Sequence, residues 1–116
     1  MNGFLFDVKV LELAEEQGEF CGKLLAGAGA DVLKIEPPDG QATRRIGPFY
    51  HDEEQPERSL YFWHYNFGKR GATLDIQAPS GTELLKKLIA ETDILLDAQP
   101  GETLEKLGLD WQALRQ

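Results

Sequence analysis

CGKLLAGAGADVLKIEPPDG, residues 21–40, is the stretch that decides the fold. It reads as a helix, a turn of small residues, a strand and an abrupt stop. Residues 21–30 form a short apolar helix whose C-terminal end is softened by Gly27 and Gly29. DVLKIE, residues 31–36, is a strand. Pro37 and Pro38 stop it, because proline has no N–H to give a ladder. The glycines follow a helix and precede a strand, the reverse of the dinucleotide-binding fingerprint. They are read as making a tight helix-to-strand turn.

The same grammar extends on both sides. VKVLEL (8–13) alternates and is rich in aliphatic and β-branched residues, so it is a strand, and AEEQGEF (14–20) is the loop after it. Residues 40–58 are polar and contain prolines; a connector of nearly twenty residues is long for a compact domain and points to function. In SLYFWHYNFG (59–68), Ser59 caps a short helix, and Tyr61, Phe62, Trp63, Tyr65 and Phe67 are expected in the core. ATLDIQ (72–77) is a third strand. PSGTELLKKLIAET (79–92) is a helix with Pro79 in its first turn and an apolar stripe of Leu84, Leu85, Leu88 and Ile89. DILLDA (93–98) is a fourth strand, followed by two short helices over 102–109 and 110–116.

Strands alternating with helices imply an α/β fold, a parallel sheet of about four strands with flanking helices. Ligands on such sheets bind beyond the carboxyl ends of the strands. The loops after Leu13, Glu36, Ile76 and Asp97 are therefore where chemistry is expected.

Composition narrows the choices. A chain of 116 residues with 41% hydrophobic and 28% charged residues suits one globular domain. Twelve basic against twenty acidic residues give a net charge of −8, which excludes non-specific nucleic-acid binding but not a small anionic ligand. The single cysteine, Cys21, can form no internal disulfide, which points to a cytoplasmic location; it is expected to be a small core residue. No run approaches the ~20 apolar residues of a membrane span, and MNGFLFDVK at the start has no basic leader region.

Few motifs carry chemistry alone. Arg44 and Arg45, in GQATRRIGP, could bind phosphate or carboxylate through their guanidinium forks, or pair with the acidic run His51 to Glu54. Lys69 and Arg70 are a second basic pair. His51 and His64 have no metal-ligand spacing, so no metal is expected, and no nucleophile elbow or P-loop is present. Asp97 reads as a turn cap rather than an acid or base.

Four features in series carry a resemblance: the strand GADVLKIE, the loop TRRIGP, NFGKR ahead of TLD, and PG ahead of LEKLGL. Together they cover nearly the whole chain, and it resembles the N-terminal part of the family III CoA-transferases. That group includes formyl-CoA transferase, carnitine CoA-transferase and the α-methylacyl-CoA racemases. The resemblance implies a Rossmann-like partial large domain over residues 1–116. It also implies acyl-CoA and a carboxylic acid as substrates, a homodimer in the full-length protein, and no membrane partner. Covalent catalysis in the family uses an aspartate downstream of the matched region. Asp97 and Asp110 do not fill that role, and the isolated chain is expected to be inactive, a piece of a longer or split protein. The rival reading is a non-catalytic α/β module that associates with a partner chain.

By position, the resemblance implies CoA contacts at Glu16 and Gln17 after the first strand, Leu74 and Gln77 beside the adenine, Ala98 and Gln99 after the fourth strand, and Lys106 and Leu107 beyond it. Four departures bear on it. Pro37 stands where some members have arginine, and Gln77 where some have lysine. Ala98-Gln99 replaces an Asn-Phe pair, and Glu19 follows Gly18 where the family has Gly-Pro.

Overall fold

The computed structural model describes residues 3–109 and 111–114. Four strands, β1 (Lys9–Leu13), β2 (Asp31–Glu36), β3 (Arg70–Thr73) and β4 (Ile94–Asp97), form one parallel sheet in the order β3-β2-β1-β4. The helices are α1 (Glu19–Gly27), α2 (Leu60–Asn66), α3 (Pro79–Ala90), α4 (Thr103–Lys106) and α5 (Trp111–Leu114). The α/β architecture expected from the alternation is the one observed.

Alternation along the central strands sorts the side chains into two layers. Leu11, Leu13 and Ile35 pack with Leu85 of α3 and Leu104 of α4 on one face. On the other, Val10 and Val32 meet Ala30, with Leu25 and Ala26 of α1 against them. The second face is apolar only at its lower half. Higher up, Glu12, Lys34 and Glu36 occupy the same side of β1 and β2 and are buried. Glu12 and Lys34 are register partners across the β1–β2 pair, so parallel pairing itself sets them side by side.

The turn between α1 and β2 works through one glycine. Gly29 has φ of 105°, a left-handed conformation costly for residues with a Cβ, and its N–H bonds to the Ala26 carbonyl at 3.0 Å. Gly27 is the last residue of α1, and a Cβ on it would meet nothing within 4 Å outside its own helix backbone.

Several expectations need correction. β3 spans Arg70–Thr73, not 72–77. The Leu74 N–H still bonds to the Glu36 carbonyl at 2.9 Å, but Asp75 then turns the chain by accepting the Gln77 N–H at 3.1 Å. Ile76 is apolar because it enters the core beneath the sheet rim, not because a strand continues. α1 begins at Glu19, two residues early, and stops at Gly27. Cys21 is exposed, because Gly22, Leu25 and Ala26 take the inward face of α1 and leave Cys21 off it. Of the five aromatics, only Phe62 is buried; Trp63 is 45% and Phe67 80% exposed. A helix of seven residues has one inward face, and Tyr61 and Tyr65 instead meet each other, ring centroids 4.6 Å apart and planes tilted by 46°. Ser59 caps α2 as read, accepting the Phe62 N–H at 3.1 Å. The final helix was expected over 110–116; Asp110, Arg115 and Gln116 lie outside the described residues.

Candidate functional site

In a parallel sheet all carboxyl ends share one rim, and four loops converge there. A cleft of about 160 Å³ opens among them. Its floor is apolar, built from Leu13, Ile35, Leu74 and Ile76. Glu15, Glu36, Gln41, Asp75, Gln77 and Gln99, with Pro37 and Pro100, line the remainder. A second cleft adjoins it through Glu15, Gln99 and Pro100 and continues along Glu16, Gln17, Ala98 and Gly101.

The expected contact residues divide accordingly. Leu74, Gln77 and Gln99 line the first cleft, and Glu16, Gln17, Ala98 and Gln99 the second. Lys106 and Leu107 line neither: Lys106 is exposed on α4, and Leu107 packs against the core. Two like-built turns deliver the glutamines. Asp75 Oδ1 accepts the Gln77 N–H and Asp97 Oδ1 the Gln99 N–H, each at 3.1 Å, so Asp97 is the turn cap it was read to be.

The electrostatics of the first cleft are acidic. Its lining contains Glu15, Glu36 and Asp75 and no lysine or arginine among the described residues. Glu36 is neutralised from behind. Arg44 grips it with both forks, Nη2 to Oε1 and Nε to Oε2, each at 2.7 Å, and the Gln41 N–H adds a bond to Oε2 at 2.9 Å. Burial pushes the Glu36 carboxyl up. The Arg44 hydrogen bond, the Gln41 N–H and the charges of Arg44 and Lys34 outweigh that and hold it below the ordinary glutamate value. The same bond raises Arg44. Arg44 also lies over the Phe62 ring at 3.9 Å, so it is an internal partner. Its neighbours in the acidic run bind elsewhere: Glu53 pairs with Arg58 at 2.8 Å.

The second basic pair is equally occupied. Arg70 pairs with Asp31 through Nε at 2.8 Å and Nη2 at 2.9 Å. Lys69 is buried, with Glu12 Oε1 at 2.7 Å, Asn66 Oδ1 at 2.8 Å and the Glu19 carbonyl at 3.0 Å. Its desolvation lowers its pKa despite the hydrogen bond to Glu12. Lys34 takes the other oxygen of Glu12 at 2.7 Å, the Ala14 carbonyl at 2.8 Å and Glu19 Oε2 at 3.1 Å. Thr43 and Asn66 each donate to that same Glu19 oxygen at 2.9 Å. Gly22 is required here, because a Cβ on it would run into Glu12 Oε1. Reading the sequence missed this four-charge cluster. Its signal was present: Glu12 and Lys34 fall on the same strand faces as Val10 and Val32, where apolar residues are expected.

An α/β sheet with two adjoining clefts at its carboxyl rim is thus what the chain presents. The profile of CoA-transferase family III matches residues 5–116. The chain is 37% identical to formyl-CoA:oxalate CoA-transferase of Bradyrhizobium diazoefficiens over 119 aligned positions, covering 100% of this chain and 27% of that protein. It is 34% identical to a subunit of succinyl-CoA:(R)-benzylsuccinate CoA-transferase of Thauera aromatica, covering 91% of this chain and 26% of the relative. The crystal structure of a CAIB/BAIF family protein from Brucella suis superposes with a TM-score of 0.88 and 39% identity, over 99% of this chain and 31% of that one. The chain belongs to CoA-transferase family III. It spans less than a third of the length of these relatives. No helix among the described residues is long and apolar enough to cross a membrane, and no group of three or more possible metal ligands occurs among them.

Proposed function

We propose that this chain is the CoA-binding N-terminal part of the large domain of a family III CoA-transferase, a cytoplasmic enzyme that moves CoA between carboxylic acids. Residues 1–116 supply the platform for the thioester, and the reacting aspartate belongs to sequence beyond them. In this reading Glu16, Gln17, Leu74, Gln77, Ala98 and Gln99 contact CoA, Lys106 at the end of α4 and Leu107 just after it contact the part of the ligand that extends past the two clefts, and the full-length protein works as a homodimer. One observation carries it: six positions that the family resemblance assigns to CoA border two adjoining clefts at the sheet rim. The acidic lining suits the uncharged parts of the ligand and opposes its phosphates, so affinity is weak in the isolated chain.

A second reading, a non-catalytic module that associates with a partner chain, draws support from Phe20 and Leu24 of α1 and Phe67 after α2, all more than half exposed. Titration of the ¹⁵N-labelled chain with CoA tests the first. The expected result is shifts at Gln17, Leu74, Gln77 and Gln99 with affinity weaker than micromolar. Absence of shifts at these residues in millimolar CoA overturns it and leaves the module.

A further inference from the structure

The loop that carries Glu16 and Gln17 joins Ala14, just after β1, to Glu19 at the start of α1. Its own bonding is slight: Gly18 and Glu19 N–H groups both turn back to the Glu15 carbonyl at 3.1 Å. Each end, however, is held from below by a buried ammonium group. Lys34 donates to the Ala14 carbonyl at 2.8 Å, and Lys69 to the Glu19 carbonyl at 3.0 Å. Both lysines are set in place by the two oxygens of one carboxylate, Glu12, each at 2.7 Å.

We propose that Lys34 and Lys69 are positioning residues, which clamp the two ends of the Glu15–Gly18 loop so that Gln17 meets the ligand in one geometry. The inference rests on the proposed function of the rim. Stability alone does not account for the cluster. Four buried charges are an expensive way to fill a core, and apolar residues of like volume commonly do as well or better. What apolar residues lack is a donor aimed at a carbonyl. Charge-assisted bonds in a water-excluded site are short and directional. Here they end on the backbone at either side of a loop that otherwise has little to fix it. Gly18 adds to the constraint, because a Cβ on it would fall 2.9 Å from the Ala98 Cβ.

Two double variants each release one end while keeping the cluster electrically neutral. Glu19→Gln with Lys69→Met leaves Lys34 and Glu12 as a pair, with Lys34 still on the Ala14 carbonyl. Glu19→Gln with Lys34→Met leaves Lys69 and Glu12. Hydrogen exchange and CoA titration are measured on both, with Leu85→Ala on the opposite face of the sheet as a control for general destabilisation. In the double variants the Gly18 and Glu19 amides are expected to exchange about tenfold faster relative to Val10 and Val32, the loss of one strong hydrogen bond. The CoA shift at Gln17 is expected to weaken about tenfold, while those at Leu74 and Gln77 persist. Leu85→Ala is expected to raise exchange in step throughout. If loop and strand amides also rise together in a folded double variant, or if CoA shifts at Gln17 are unchanged, the lysines are structural and the inference fails alone. If the unmodified chain shows no CoA shift at the rim, the proposed function fails and takes the inference with it.

Discussion

Glu12 and Lys34 face each other across adjacent parallel strands, with Oε2 and Nζ 2.7 Å apart and almost no solvent on either. Neither is explicable alone. A buried carboxylate without its ammonium partners carries a desolvation penalty of several kcal/mol. Parallel register brings the two together, and Lys69 with Glu19 adds a second pair, so the cluster stays neutral.

Single substitutions in this cluster should therefore be far more damaging than neutral double ones. Glu12→Leu leaves Lys34 and Lys69 buried with too little negative charge, and is expected to destabilise the chain by about 3–5 kcal/mol. Urea denaturation followed by circular dichroism measures it. A loss under about 1 kcal/mol would mean the charges are hydrated in solution.

Acid should act first through Glu36. Its folded pKa lies below the unfolded value, so the unfolded chain binds the proton more readily. The contribution of the Arg44 pair is whole above the unfolded value, near pH ~4.3, and disappears as pH falls through the folded one. Arg44→Met leaves burial to dominate and raises that pKa, which reverses the sign: stability then falls as pH rises through the raised value. Melting temperature against pH, from about 3 to about 7, should show opposite slopes for the two proteins.

The lower layer depends on Leu85, which is fully buried among Leu11, Leu13, Ile35 and Leu104. Leu85→Ala is expected to cost about 2–5 kcal/mol, the transfer free energy plus the residual cavity. Thermal or urea unfolding checks this, and an effect below about 1 kcal/mol would show that the site collapses around the smaller residue.

Gln77→Lys tests the ligand assignment by gain of function. The first cleft has no lysine or arginine in its lining among the described residues. An exposed ion pair with a phosphate is worth about 0.2–1 kcal/mol, so CoA affinity should rise about 1.4- to fivefold and become more salt-dependent. Calorimetry in low and high salt reads both. Equal affinity in the variant would move the phosphates elsewhere.

Loss of the cap at Ser59 should be felt beyond α2. Its hydroxyl accepts from Phe62 N–H and donates toward the carbonyls of Ile46 at 2.6 Å and Thr43 at 3.2 Å, tying the long loop to the helix. Ser59→Ala is expected to cost about 1–2 kcal/mol and to expose residues 42–46 to faster proteolysis. Cleavage at the wild-type rate would assign that loop's order to the Arg44–Glu36 pair instead.

The order of strands and helices was legible because it is written locally. Alternation marks strands 8–13 and 31–36, the stripe of Leu84, Leu85 and Leu88 marks a helix, and Pro37-Pro38 marks an end. Parallel pairing and a rim with loops after each strand follow from that order. The destinations of the charged and aromatic residues were not legible. Arg44 and Lys69 offer the same groups to a phosphate or to a neighbouring carboxylate. The choice rests on distances across 8 and 57 residues of chain, which register and the placement of α2 set. Trp63 and Phe67 are as apolar on the surface as in a core; only the single inward face of α2, taken by Phe62, left them outside. Sequence alone determined which elements form and in what order, because hydrophobic period and backbone stops act over a few residues. Tertiary structure alone decided which cations are spent internally, because electrostatic pairing depends on where the chain returns.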